Sequence, residues 1–96
     1  MVFEWDDAKY RLNIEKHGIR FEDAQRIFDG FTVDVIDDRE DYGEERVISI
    51  GMLDGIVVLA VVHTDRGGTC RIISARQANR KERERYEQAI RKAFDA

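Results

Sequence analysis

The stretch RVISIGMLDGIVVLAVVH, Arg46 to His63, decides the fold. Its two apolar runs, RVISIGM (Arg46 to Met52) and IVVLAVVH (Ile56 to His63), flank Asp54-Gly55. Asp-Gly between matched strand formers is a strong hairpin signal, because a tight hairpin turn needs positive φ at its central residues. The run from Ile56 to Val62 contains no polar residue, so it reads as a buried central strand.

Working outward, DRGG (Asp65 to Gly68) marks a second turn and CRIISAR (Cys70 to Arg76) a last strand. Strict alternation would put Cys70, Ile72, Ser74 and Arg76 on one face, with Arg71, Ile73 and Ala75 on the other. Asn79 followed by Glu82 opens a final helix with capping-box spacing, and Tyr86, Ile90, Ala93 and Phe94 form its apolar stripe. On the amino-terminal side, FTVDVI (Phe31 to Ile36) alternates as a strand and leads into the acidic connection DDREDYGEE (Asp37 to Glu45). A helix is expected over about Glu22 to Asp29. An earlier one is capped by Asp6, runs to His17 and ends at Gly18, with Trp5, Ala8 and Leu12 at helical spacing. FEW (Phe3 to Trp5) precedes it as a short strand. The expected order is β-α-α-β-β-β-β-α: one α+β domain over residues 1–96, with a small, mostly antiparallel sheet, two amino-terminal helices and one carboxy-terminal helix.

Composition narrows the function. At 43% hydrophobic and 38% charged, 96 residues suffice for one modest core. No apolar run approaches the roughly 18–20 residues of a membrane span, and MVFEWDDAKY lacks the apolar centre of a signal peptide. A single cysteine, Cys70, excludes an internal disulfide and fits a reducing cytoplasm. The net charge of −4 conceals an asymmetry. Residues 1–65 hold 7 Lys/Arg against 16 Asp/Glu, a balance of −9, whereas residues 66–96 hold 9 against 4, a balance of +5. A polyanion is therefore expected to meet the carboxy-terminal third.

Three places carry candidate chemistry. At the last strand-to-helix junction, Arg76 and Arg83 are placed to line a groove beside Tyr86, where guanidinium groups can clamp a phosphate; Arg80 and its neighbours also suit exposed ion pairing. In HTDRGG (His63 to Gly68), a histidine at a strand end can serve as acid or base, with Arg66 in the adjoining turn. In NIEKHG (Asn13 to Gly18), Lys16 and His17 sit in the last turn of a helix, where cations also simply meet the negative end of the dipole. Zinc, dinucleotide, P-loop, serine-elbow and calcium patterns are absent, and no cofactor or metal is implied.

Two long stretches resemble one family. FEWDDAKYRLNIEKHGIRFEDAQRIF (Phe3 to Phe28) is similar to the opening signature of BrnT-type toxins: an aromatic-acidic-Trp-Asp start, Lys9, Asn13, Lys16-His17-Gly18 and Phe21. RIISARQANRKERERYE (Arg71 to Glu87) resembles the closing signature, Ile-Ser-x-Arg before a basic, Glu-rich helix with a tyrosine. The resemblance implies a RelE-like fold and a type II toxin–antitoxin ribonuclease that blocks translation. It also implies a tightly bound BrnA-like antitoxin and, through that partner alone, contact with operator DNA.

Metal-independent RNA cleavage needs a base for the 2′-hydroxyl, a cation for the phosphorane and an acid for the 5′-oxygen. Arg76 and Arg83, assisted by Arg66, are expected to hold the phosphate. Lys16, His17, His63 and Tyr86 are the candidate acids and bases, and Arg66, Arg71 and Arg80 candidate RNA contacts. The rival expectation is a catalytically weak binding module, whose acidic connection Asp37–Glu45 docks a basic partner and whose role is operon autoregulation. A standalone DNA binder is opposed by the net acidity.

Overall fold

The computed structural model describes residues 1–95. Five strands form one sheet in the order β1-β5-β4-β3-β2, with β1 Val2–Trp5, β2 Thr32–Asp37, β3 Arg46–Leu53, β4 Val57–Arg66 and β5 Thr69–Gln77. The helices are α1 (Asp7–His17), a single turn α2 (Phe21–Ala24) that tightens into a 3₁₀ segment (Gln25–Asp29), and α3 (Arg80–Phe94).

The β3–β4 hairpin forms as its sequence requires: Asp54 and Gly55 both take positive φ, 54° and 69°, and the register pairs Leu53 with Val57. Two expectations are corrected. The sheet is mixed, because β1 runs parallel to β5, pairing Val2 with Thr69 through Trp5 with Ile72. The element order also gains a member, since the second helix changes from α to 3₁₀ after Ala24. That tightening accompanies the close seating of Ile27 over Gly51 of β3, where a Cβ added at the glycine would lie 3.0 Å from the Ile27 Cβ.

The alternation of β5 is corrected as well. Val62 faces Ser74 but His63 faces Ile72, so Ile73 is an extra residue, a β-bulge. The bulge reverses the facing of everything after it. Cys70 and Ile72 share one face with Ala75, whereas Ser74 and Arg76 turn to the other.

Each face of the sheet carries its own apolar cluster. Phe21, Ala24, Ile27, Leu59, Val61, Ile72 and Ala75 form the larger one, beneath α2 and the 3₁₀ segment. Ile50, Ala78 and Tyr86 form the smaller one, where α3 packs on β2 and β3. Between them β4 buries Leu59 through Val62 without a break. Helix α3 starts with the expected capping box, Asn79 accepting from the Glu82 amide and Glu82 accepting from the Asn79 amide, both at 2.9 Å.

Helix α1 lies elsewhere than its apolar spacing suggests. Ala8 and Leu12 are exposed, and its one buried residue is Asn13. Strand β1 pairs β5 only as far as Ile72, which leaves the later half of β5 without a partner on that side. Asn13 fills the gap. Its Oδ1 accepts from the Ala75 amide at 2.9 Å, while its Nδ2 donates to the Ala75 carbonyl at 2.9 Å and to the Ile19 carbonyl at 3.0 Å.

Replacing Asn13 by Ala orphans both Ala75 groups, at about 1–3 kcal/mol for each buried group left unsatisfied. Urea unfolding of Asn13→Ala should show a lower midpoint at nearly unchanged slope, a loss of about 2–6 kcal/mol. A loss below about 0.5 kcal/mol, within the range of ordinary surface substitutions, would mean the amide is not a structural tie.

Candidate functional site: a cationic cleft between α1 and the sheet

The face of the sheet that carries α3 over β2 and β3 leaves β5 uncovered toward α1. A cleft of about 400 Å³ opens there, lined by Lys9, Leu12, Asn13, Lys16 and His17 of α1, by Ile73 and Ser74 at the bulge, and by Arg46 of β3. Positions 9, 12, 13, 16 and 17 recur at three- and four-residue steps, so they share one side of the helix. Asn13 turns that side toward the sheet through its tie to Ala75. The bulge is the second device. Without the extra residue, Ser74 would share the face of Ile72, which is buried in the larger core.

The electrostatics are one-sided. Three cations and a histidine line the cleft and no carboxylate does. Among the described residues Lys9, Lys16 and His17 have no ion-pair partner. Arg46 is held in place, with Nε 3.3 Å from Glu44 and the guanidinium 4.0 Å above the Tyr42 ring. Its side chain is 20% exposed. A fixed guanidinium loses little entropy on meeting a phosphate.

Arg76 stands on the same face of β5, two residues beyond Ser74. Its guanidinium already grips the Glu82 carboxylate with two bonds of 2.6 and 3.0 Å. Burial pushes the Glu82 acid upward, but the Arg76 and Asn79 hydrogen bonds outweigh it and hold the carboxyl below its ordinary value. Arg71 also faces this side, 3.7 Å from Glu4 of β1.

The remaining candidates lie apart. Arg83 donates to the Ala78 carbonyl at 2.8 Å, and Tyr86 is 5% exposed in the smaller core, so neither reaches the cleft. Arg80 pairs with Glu84 on the outer side of α3, and Arg66 with Glu44 at 3.4 Å. His63 is half-buried on the opposite face of the sheet, 5.1 Å from the Phe28 ring. The cations that line the cleft thus come from the acidic two-thirds of the chain, not from the basic end. Lys9 and Ser74 lay within the stretches that carried the family resemblance. Arg46 had no local signal, since only the β3–β4–β5 register carries it near β5.

Such a site defines a class: a small α+β domain with a preformed, cation-lined cleft that no carboxylate enters. Comparison with known proteins makes it specific. The family model described as "Ribonuclease toxin, BrnT, of type II toxin-antitoxin system" matches residues 5–82. The 1.1 Å crystal structure of the Brucella abortus ribonuclease toxin BrnT superposes with a TM-score of 0.63 at 26% identity, covering 83% of this chain and 100% of that one. A search of curated proteins returned no match. The chain belongs to the BrnT family of ribonuclease toxins of type II toxin–antitoxin systems.

Glu82 gives a pH test. Its acid is depressed in the folded state, so the stability it adds is present above the ordinary carboxylate value and is lost as pH falls through the folded one. Glu82→Gln should therefore cost about 1–2 kcal/mol at pH 7 and much less near pH 3, read from unfolding midpoints. Equal costs at both values would show that the Arg76 pair adds no charge-dependent stability.

Proposed function

We propose that the cleft is the active site of a metal-independent endoribonuclease, in which the 2′-hydroxyl attacks the adjacent phosphate. One observation carries this reading. Two stretches more than 50 residues apart in sequence, Lys9–His17 and Ile73–Ser74, converge on one cleft that holds cations, an imidazole and no carboxylate.

Lys9, Lys16 and Arg46 bind the phosphodiester and offset the charge that grows on its non-bridging oxygens. His17, at the helix end, exchanges the proton of the attacking or departing oxygen. Ser74 donates a hydrogen bond to the phosphate. Arg76 completes the cationic wall when a phosphate competes with Glu82 for its guanidinium. RNA is selected over DNA because DNA lacks the nucleophile. Cleavage of RNA in the cytoplasm blocks translation, and a BrnA-like antitoxin binds the toxin and supplies any contact with DNA.

The second reading, a catalytically weak module that acts through its antitoxin in autoregulation, draws on the Arg76–Glu82 pair, because an occupied guanidinium is less available to substrate.

Antitoxin-free protein should cleave RNA in EDTA and leave the all-deoxy strand intact. His17→Ala should lower the rate about 10²–10⁴-fold and Arg46→Ala about 10²–10³-fold, with circular dichroism unchanged. Full activity in both variants would remove the cleft as the active site. Loss on chelation would assign the chemistry to a metal, and no cleavage by the wild type would favour the binding module.

A further inference from the structure

On the other face of the sheet the structure holds a polar chain that the cleft does not use. Ser49, fully buried on β3, donates to Asp34 Oδ1 on β2 at 2.7 Å. Its one proton is thereby committed, so the Ser49 oxygen accepts from His63 Nε2 at 2.6 Å. Nε2 therefore carries the hydrogen, and the neutral ring presents its lone pair at Nδ1. Burial, opposed in part by Asp34, keeps this imidazole below its ordinary value and so neutral near pH 7. Nδ1 has no hydrogen-bond partner among the described residues, yet it is not among the enclosed atoms left without one. It is therefore not fully enclosed.

His63 lines a cavity of about 190 Å³ with Met1, Phe28, Asp65, Gly68 and Cys70. That is smaller than the roughly 300–1,000 Å³ pockets that take drug-sized ligands, so it suits one planar ring system. Phe28 and His63 meet edge to face at 89°, their ring centroids 5.1 Å apart. The Cys70 thiol, pushed up to about 11 by burial and then by Asp65, stays neutral and adds to the apolar lining. The strongest acceptors among the lining side chains are the His63 Nδ1 lone pair and the Asp65 carboxylate, whose Oδ1 takes the Gly68 amide at 3.1 Å. A ligand that satisfies them is flat, apolar on its faces and rich in donors along one edge.

We propose that this cavity is a binding site for a guanine base. Guanine places an N1–H and an N2 amino group side by side, a donor pair that matches a carboxylate, while its rings pack against Phe28. Adenine, cytosine and uracil do not present adjacent ring and amino donors on one edge. Recognition of an unstacked base by an aromatic wall and edge hydrogen bonds is the usual mode for single-stranded RNA. The base can be that of a free nucleoside or one carried by an RNA strand, and only the second source rests on the cleavage reading. Arg66 and Arg71 follow Asp65 and Cys70 at the β4–β5 end with their side chains on the opposite face, so a strand whose base sits here meets them only by passing over the β4–β5 end of the sheet.

Guanosine, which has no phosphate to attract the cationic cleft, is the probe. Titrated into ¹⁵N-labelled protein, it should shift the amides of Phe28, Asp65, Gly68 and Cys70. Inosine, lacking the amino group, and cytidine should bind at least fivefold more weakly. Asp65→Asn keeps an acceptor for Gly68 but presents an amide to the base edge, and should weaken guanosine at least tenfold. Titrated into His17→Ala protein so that the oligonucleotide stays intact, UUGUU binding at least tenfold tighter than guanosine, with added shifts at Arg66 and Arg71, would identify RNA as the source. Equal affinity would identify the free nucleoside. No shift at millimolar guanosine, shifts confined to the cleft, or undiminished binding by Asp65→Asn would each overturn the proposal. None of these readouts depends on cleavage, so they remain informative if the ribonuclease reading fails.

Discussion

The proposed cleft hangs on one side-chain amide. Strand β1 has four residues and β5 has nine, so parallel pairing ends with half of β5 unpartnered. A sheet edge with bare donors and acceptors is costly when buried and adhesive when exposed. Asn13 resolves this by offering Ala75 what another strand would have offered, one acceptor and one donor. The price is that a helix must lie where a strand would continue. Because α1 is anchored there by the Asn13 amide and by Tyr10 stacked on Phe21, with Ala8 and Leu12 exposed, its cationic residues stay at the rim of the sheet. Lys9, Lys16 and His17 are four before, three after and four after Asn13, so the residue that closes the edge also aims the cleft.

The two irregularities of β5 therefore cooperate. The amide tie brings α1 to the edge, and the bulge at Ile73 turns Ser74 and Arg76 to the face beside it. A regular β5 could not keep both Ile72 and Ala75 in the larger core, since residues three apart on a flat strand face opposite ways. The bulge satisfies the core and supplies the site in one displacement.

Much of the fold was legible because it is written locally. Asp54-Gly55, the Asn79–Glu82 box, the Asp6 cap and Gly18 in the left-handed region each declare themselves within a few residues. What was hidden is long-range or exceptional. Nothing in FEW reports that its partner lies more than 60 residues away and runs parallel. The inward side of α1 was misassigned because hydrophobic spacing is the only face signal a sequence carries, and here the buried contact is an asparagine. Arg76 and Arg83 looked equivalent by spacing, yet one grips Glu82 beside the cleft and the other closes a backbone carbonyl.

The same logic resolves the charge of the molecule. A net balance of −4 disfavours contact with RNA at a random point on the surface, because most approaches meet carboxylates. The exception is local. In the cleft Lys9 and Lys16 stand without an ion-pair partner among the described residues and Arg46 is held by Glu44, while Arg76, Arg80 and Arg66 are engaged by Glu82, Glu84 and Glu44. A uniformly basic toxin would bind nucleic acid everywhere and gain affinity without register. On the reading proposed above, an acidic body with one carboxylate-free cleft confines the phosphate backbone to a single track, and a confined track is what would let an imidazole at a helix end meet the same bond each time.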